Sequence, residues 1–262
     1  MADPAERPET SEAEDSPESR WFGYRRVAPT EKAALVRGVF ESVAGRYDLM
    51  NDLMSGGIHR LWKREMVAWL KARPGSTILD VAGGTGDIAM RILDRLKGDG
   101  RVVVVDATAA MLAVGRDRMI DRGLLAGIDW VAGDAEHLPI ADASVDAYTI
   151  AFGLRNVTLI DRALAEARRV LKPGGRFLCL EFSRVVVPVL DKLYNLYSFG
   201  VLPTMGRVVA GDARPYRYLA ESIRTFPAQE ELAERIRAAG LEQVKVRNLT
   251  GGIAALHSAW RL

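Results

Sequence analysis

Three carboxylates stand where runs of apolar residues give out. Asp80 follows Ile78 and Leu79, Asp106 follows the valines at 102–105, and Asp134 comes shortly after Ile128–Val131. Just past Asp80 the chain reads Val81-Ala82-Gly83-Gly84-Thr85-Gly86-Asp87, and the apolar residues of Ile88-Ala89-Met90-Arg91-Ile92-Leu93 then fall at helical spacing. That is the layout of a buried strand, a tight turn and a helix. Glycine takes backbone angles closed to other residues and lets a ligand approach the main chain. A helix N-terminus offers N–H groups without partners. Together they make a nucleotide- or nucleoside-binding turn. Ligands of open α/β sheets lie outside the carboxyl ends of the strands, so acids ending three strands face one crevice. Asp106 suits both hydroxyls of a ribose. Asp134 suits the amino group of an adenine, while the next backbone N–H, that of Ala135, donates to a ring nitrogen. The plainer alternative is that glycines serve packing and acids simply favour strand ends; three acids in register weigh against it.

Two ligands fit this turn. Gly84-Thr85-Gly86-Asp87-Ile88-Ala89 matches G-x-G-x-x-G/A, and Asp106 follows at the ~20-residue distance of a dinucleotide fingerprint. A nicotinamide-dependent oxidoreductase would need only that second acid. With Asp80 taken into the motif, the segment resembles the first motif of the S-adenosylmethionine-dependent methyltransferases. Their cofactor has no pyrophosphate but carries an amino-acid tail, whose ammonium wants an acid. Asp80 and the turn around Gly83 would then hold the methionine end.

Alternating strands and helices must position these groups. Strands are expected at 77–82, 102–105, 128–131, 146–150 and 176–181, with helices between them. Thr108 is placed to cap the second helix. Thr158-Leu159-Ile160-Asp161 reads as a capping-box-like start, and Lys172-Pro173-Gly174-Gly175 as the end of that helix. Pro227 suits the first turn of a helix that Gly240 terminates. Strands near 242–248 and 254–261, joined through Thr250-Gly251-Gly252, read as a hairpin, so one of them runs antiparallel to its neighbours. The pattern implies a parallel sheet with both faces covered. Ahead of it, residues 30–73 read as a helical cap: one helix from Lys32 to Ala44 with Leu35, Val39, Phe40 and Val43 on one face, then another through Leu70, stopped by Pro74-Gly75.

The chain of 262 residues holds one main domain, expected over 21–262. Residues 1–20 carry seven acids and two bases with almost nothing apolar, and are expected to be a disordered acidic tail. The rest is moderately basic, which permits contact with nucleic acid or an anionic membrane. No apolar run is long enough to cross a bilayer, and no signal peptide is visible. The expected location is therefore cytoplasmic. The single cysteine, Cys179, lies in an apolar run and reads as a buried strand residue. His59, His137 and His257 are scattered without ligand spacing, so no metal site is expected.

Beyond the turn, further stretches carry a narrower resemblance. They are Phe22-Gly23-Tyr24, Tyr47-Asp48-Leu49-Met50-Asn51-Asp52-Leu53-Met54-Ser55, Gly57-Ile58-His59-Arg60-Leu61-Trp62-Lys63 and Phe152-Gly153-Leu154-Arg155-Asn156-Val157. Tyr216–Arg224 and Leu249–His257 complete them. With the glycine turn, they resemble the ubiquinone/menaquinone-biosynthesis C-methyltransferases over nearly all of 21–262. That resemblance implies a class I, Rossmann-like α/β methyltransferase fold: a seven-stranded, mostly parallel sheet with an antiparallel C-terminal hairpin strand. It implies S-adenosylmethionine as cofactor, with contacts carried over to Thr85, Asp106, Asp134 and Ala135. It implies methylation of a ring carbon on a methoxylated, polyprenylated benzoquinol, or on demethylmenaquinol. A serine that the family has just before Phe-Gly-Leu-Arg-Asn is Ala151 here, so that hydroxyl contact is missing.

A quinol carbon is a weak nucleophile until a ring hydroxyl, of pKa about 10 like tyrosine, loses its proton. A nearby cation eases that loss. Arg155 and Asn156 follow the fourth strand on the ligand side and are the candidates to steady the quinol oxygens, Arg155 as the catalytic one. Tyr47, Tyr216, Tyr218 and His257 are weaker candidates. An insertion at about 185–225 carries apolar residues at helical spacing, including Leu190, Leu193 and Leu196, that suit core packing or a slot for a prenyl tail. With Trp21, Phe22, Tyr24, Arg25 and Arg26 it is a candidate for peripheral membrane contact at the inner face. A complex with other quinone-biosynthesis enzymes is a further expectation. The remaining alternatives are another small-molecule methyltransferase and a catalytically dead fold used for assembly or RNA. Against RNA, there are no aromatic-basic repeats, so no nucleic-acid partner is expected.

Overall fold

The computed structural model describes residues 20–46, 51–52, 55–185 and 214–262. Most of the acidic tail, Tyr47 and most of the 185–225 insertion lie outside them. A short hairpin, β1 (Arg20–Phe22) and β2 (Arg25–Val27), leads into α1 (Pro29–Val43) and then α2 (His59–Leu70). The central alternation follows: β3 (Thr77–Val81), α3 (Asp87–Leu96), β4 (Arg101–Asp106), α4 (Ala109–Asp121) and β5 (Ile128–Ala132). Next come β6 (Val145–Ala151), a short turn of helix at Leu154–Asn156, α5 (Ile160–Val170) and β7 (Leu171–Phe182). The chain closes with α6 (Arg214–Thr225), α7 (Gln229–Ala238), β8 (Glu242–Leu249) and β9 (Ala254–Trp260).

The seven strands stand in the order β5-β4-β3-β6-β7-β9-β8. All neighbours are parallel except around β9, which is antiparallel to both β7 and β8. Strand β3 is the switch point: the chain builds outward to β4 and β5 on one side, then returns to β6 on the other. A ligand crevice is expected there. Period-two alternation sets the two faces. Ile78, Val102 and Val104 join one apolar cluster with Trp62, Met66, Ile88 and Ile92. Leu79, Val81, Val103 and Val105 join a second with Tyr148, Leu164, Phe177 and Ile236. With helices on both faces, no strand in the centre keeps a wet side, which is why β4 tolerates an unbroken run of valine.

Several local expectations are corrected. Thr108 occupies the N-cap of α4, but its side chain makes no capping bond; its backbone N–H instead donates to Asp106 Oδ1 at 2.8 Å. The capping box at Thr158 does not form, since Leu159 is the N-cap of α5. Glu136 supplies the acceptor from a distance: its Oε1 takes the N–H groups of both Thr158 and Leu159 at 2.9 Å. Pro227 lies outside α7, whose N-cap is Ala228. Helix α2 stops at Lys71, in left-handed conformation at φ 51°, before Pro74 is reached. Strand β7 begins at Leu171, not Arg176, because Lys172–Gly175 are carried as a bulge opposite Asp146 between the pairs Val145–Leu171 and Ala147–Arg176. The hairpin β1–β2 was not foreseen. It packs on α6, with Phe22 stacked on Tyr218 at 4.4 Å between ring centroids.

Candidate cofactor site

An open cleft of about 850 Å³, counting the space open to solvent, lies at the carboxyl ends of β3, β4, β5 and β6. Gly84, Asp106, Asp134 and Ala135 line it from the sheet side, Asn156 from beyond β6, and Phe40 from α1. Asp106 is held by two backbone donors, Gly84 N–H to Oδ2 at 2.9 Å and Thr108 N–H to Oδ1 at 2.8 Å. Each oxygen keeps a further lone pair. Burial raises the Asp106 pKa, against those two N–H bonds. Asp134 folds back to accept the Glu136 N–H at 2.9 Å and remains exposed, while Ala135 is buried. Asp106, Asp134 and Ala135 therefore stand together, as expected.

Asp80 and Thr85 stand elsewhere. They line a small recess behind the glycine turn, with Lys63, Gly83, Asp87 and Ala151. Ala82 and Gly84 border both spaces, so the turn itself is the partition. Gly83 is required there: a Cβ would lie 2.8 Å from Asp80 Oδ2 and from Val104 Cγ1. Ala82 sits at φ 50° and Phe152 at φ 57°, two non-glycine residues in left-handed conformation on the cleft wall. Such strain, of order 1–3 kcal/mol each, gathers at functional sites.

Asp80 is 1% exposed. Its Oδ1 accepts the Thr149 hydroxyl at 2.8 Å, and its Oδ2 has no hydrogen-bond partner. Burial pushes its pKa up to about 7, with Thr149 and Lys63 pulling the other way. A buried carboxylate oxygen without a donor is costly unless something supplies one. An ammonium fits that vacancy, so the residues present suit a cofactor with an amino-acid tail. Asp87, at the start of α3, shows the opposite case. Burial would raise its pKa, but Lys63 at 2.9 Å and Arg91 at 2.8 Å hold it down at about 2. Lys63 reaches the turn from α2, tying the helical cap to the site; the sequence offered it only within the Gly57–Lys63 stretch. Thr85 is buried, and its hydroxyl accepts from Arg118 Nη1 at 3.2 Å.

Arg155 is not where sequence reasoning expected it. Its side chain is 1% exposed and its Nη1 bonds Glu181 Oε2 at 2.9 Å and the Phe152 carbonyl at 2.6 Å. Its neighbours Phe152, Gly153 and Asn156 line the cleft; Arg155 itself does not. Glu181, deep in β7, draws the guanidinium inward. Arg155 lines instead a separate cavity with Lys32, Val157 and Thr158. Asn156 keeps its expected place. Its Oδ1 accepts the Tyr218 hydroxyl at 3.0 Å, and its Nδ2 donates to the Phe152 carbonyl at 3.4 Å. Tyr216 and Tyr218 are buried, and burial raises the Tyr218 phenol pKa. His257 is buried in β9, its Nε2–H donating to the Gln229 carbonyl at 2.9 Å, and burial lowers its pKa. Sequence reasoning missed Lys32, for which no local signal exists. Only 6% exposed, it donates to the Val157 carbonyl at 2.9 Å; burial, against the pull of Glu136, lowers its pKa to about 8.

The model of the ubiE/COQ5 methyltransferase family matches residues 27–261. The chain belongs to that family. A relative from Brucella abortus (strain S19), named ubiquinone/menaquinone biosynthesis C-methyltransferase UbiE, is 58% identical over 243 residues, covering 92% of this chain and 90% of its own. Two solved structures show the fold. An S-adenosylmethionine-dependent methyltransferase of Thermotoga maritima aligns at TM-score 0.61 and 21% identity, over 87% of this chain and 100% of that one. A phosphoethanolamine N-methyltransferase of Haemonchus contortus, in complex with S-adenosyl-L-methionine, aligns at 0.57 and 15%, over 76% of this chain and 52% of that one. Membership of the family brings the methyltransferase cofactor with it and sets the nicotinamide alternative aside. Among the described residues, no helix is long and apolar enough to cross a membrane.

Proposed function

We propose that the chain is an S-adenosylmethionine-dependent C-methyltransferase that methylates the ring of a polyprenylated benzoquinol, or of demethylmenaquinol, in ubiquinone and menaquinone biosynthesis. The family and the name of its Brucella relative support the substrate class. The observation that carries the cofactor is the vacant Asp80 oxygen behind the glycine turn. The cofactor, when bound, supplies an electrophilic methyl group. Asp80 Oδ2 receives the ammonium, and the turn at Gly83 and Thr85 shapes the space for the amino-acid tail. Asp106 accepts from the ribose hydroxyls. Asp134 accepts from the adenine amino group while the Ala135 N–H donates to the ring. Asn156, oriented by Tyr218, offers its amide to a quinol oxygen. Arg155 acts through the wall, fixing the Phe152 carbonyl and the turn that carries Asn156. Most of the work left to the protein is alignment, which is worth ~7–11 kcal/mol in well-oriented reactions.

The exposed Trp21 and Tyr24, with Arg25 and Arg26 beside them, form the surface for reversible contact with an anionic membrane. Purified protein and S-adenosylmethionine, incubated separately with a short-chain demethylmenaquinol and with a short-chain methoxylated benzoquinol and followed by mass spectrometry, test the reading. A quinol heavier by one methylene group is expected, with equimolar S-adenosylhomocysteine. No methylation of either quinol class would overturn it.

A further inference from the structure

A second cavity opens at the opposite pole of the sheet, where β3 and β6 begin and β9 ends. Arg176, Trp69, Trp260, Lys71 and Lys245 line it, among others. Arg176 is directly opposite Trp260 across the β7–β9 ladder. Its guanidinium lies 5.0 Å from the Trp260 ring and 5.8 Å from that of Trp69. It is 9% exposed. Its Nη1 donates to the Leu70 carbonyl at 3.3 Å, and its Nε–H has no acceptor.

This is the reverse of the Arg155 case, where a buried guanidinium has its carboxylate. The one carboxylate among the described lining residues is Asp146. Asp146 is already taken by Lys172 Nζ at 2.7 Å and by the Thr77 N–H at 2.8 Å. Lys71, Arg73 and Lys245, all exposed, add positive charge at the rim. A guanidinium lining a cavity between two aromatic faces, with basic neighbours and no carboxylate of its own, suits an anion. Planar, forked donors match phosphate oxygens better than any other side chain does.

We propose that this cavity is a second ligand site, taking a phosphate-class oxyanion onto Arg176 with Lys71 and Lys245 at the rim. The oxyanion is either a free phosphate or phosphomonoester, or the headgroup of an anionic lipid. Its pole faces away from the cofactor cleft, so occupancy does not compete with S-adenosylmethionine.

Trp69 and Trp260 report on the site by their fluorescence. The intact protein is titrated with inorganic phosphate, with AMP, and with phosphatidylcholine vesicles containing phosphatidylglycerol, at ionic strength held constant with chloride. A saturable fluorescence change and a raised Tm are expected from at least one probe. The Lys71→Gln/Lys245→Gln double variant, whose changes are both exposed, is expected to weaken binding about tenfold, equivalent to ~1.4 kcal/mol. Arg176→Gln is expected to abolish it. The S-adenosylmethionine affinity of the double variant stays unchanged. A response to phosphate or AMP assigns the free ligand, and a response to vesicles alone assigns the headgroup. No saturable response to any probe, or equal responses in wild type and double variant, overturns the proposal.

Discussion

Two buried carboxylates sit on neighbouring regions of one sheet and have opposite fates. Glu181, at the end of β7, meets Arg155 at 2.9 Å with both side chains 1% exposed. Asp80, in β3, is equally buried, yet one of its oxygens has no donor. Burial raises both pKa values. The first acid has its cation built into the chain, so its region is finished on folding. The second has a hydroxyl partner and a vacancy, so its region is completed by something from outside. A buried charge without a partner inside the fold marks the place where a ligand of opposite charge belongs.

The sharpest way to break the comparison is to take the cation from the finished region. Arg155→Met leaves Glu181 uncompensated and is expected to cost ~3–5 kcal/mol in chemical denaturation. The second change Glu181→Gln should recover most of that loss. Little loss in the single variant would mean that the two regions do not differ. A smaller effect is expected at the cleft. Asp106→Ala removes the acceptor for the Gly84 and Thr108 N–H groups. The expected cost is ~1–3 kcal/mol of stability together with a loss of S-adenosylmethionine affinity, read by melting and calorimetry. The smallest effect comes from Thr149→Val, which deletes the one hydrogen bond to Asp80, worth ~1 kcal/mol. Because that bond lowers the Asp80 pKa, the variant's pH profile for cofactor binding should move upward.

The pH sign follows from the direction of the Asp80 shift. Its pKa rises from an ordinary ~3.9 unfolded to about 7 folded. The folded chain therefore holds the extra proton between those values, and its stability without ligand falls as pH rises through that window. Cofactor binding runs the other way. An ammonium needs the ionised acid, so affinity falls as pH drops below about 7.

How much of this was legible in the sequence depended on distance along the chain. The acids at 80, 106 and 134, the glycine turn and the valines of β4 are local signals, and the acids stand at or just past the carboxyl ends of β3, β4 and β5, though not in one crevice. The antiparallel C-terminal hairpin forms as expected. The caps failed where a remote group took over, as when Glu136 served the start of α5 across 22 residues. The Arg155–Glu181 pair spans 26 residues, Tyr218–Asn156 spans 62, and Lys32–Val157 spans 125. No periodicity or motif encodes such pairings; they exist only once the sheet order is known. The split of the acids between a cleft and a recess was invisible for the same reason. It is created by the turn at Gly83 and Gly84 standing between them.

The most direct measurement is a calorimetric titration of wild type and Asp80→Asn with S-adenosylmethionine, at pH values on both sides of 7. Wild-type affinity should climb as pH rises through that point and then level off. Asp80→Asn should bind far more weakly, with no dependence on pH there, while its melting temperature without ligand is held or raised. Equal affinity in the two proteins at every pH would contradict the account, because the vacant oxygen would then have no ammonium to receive.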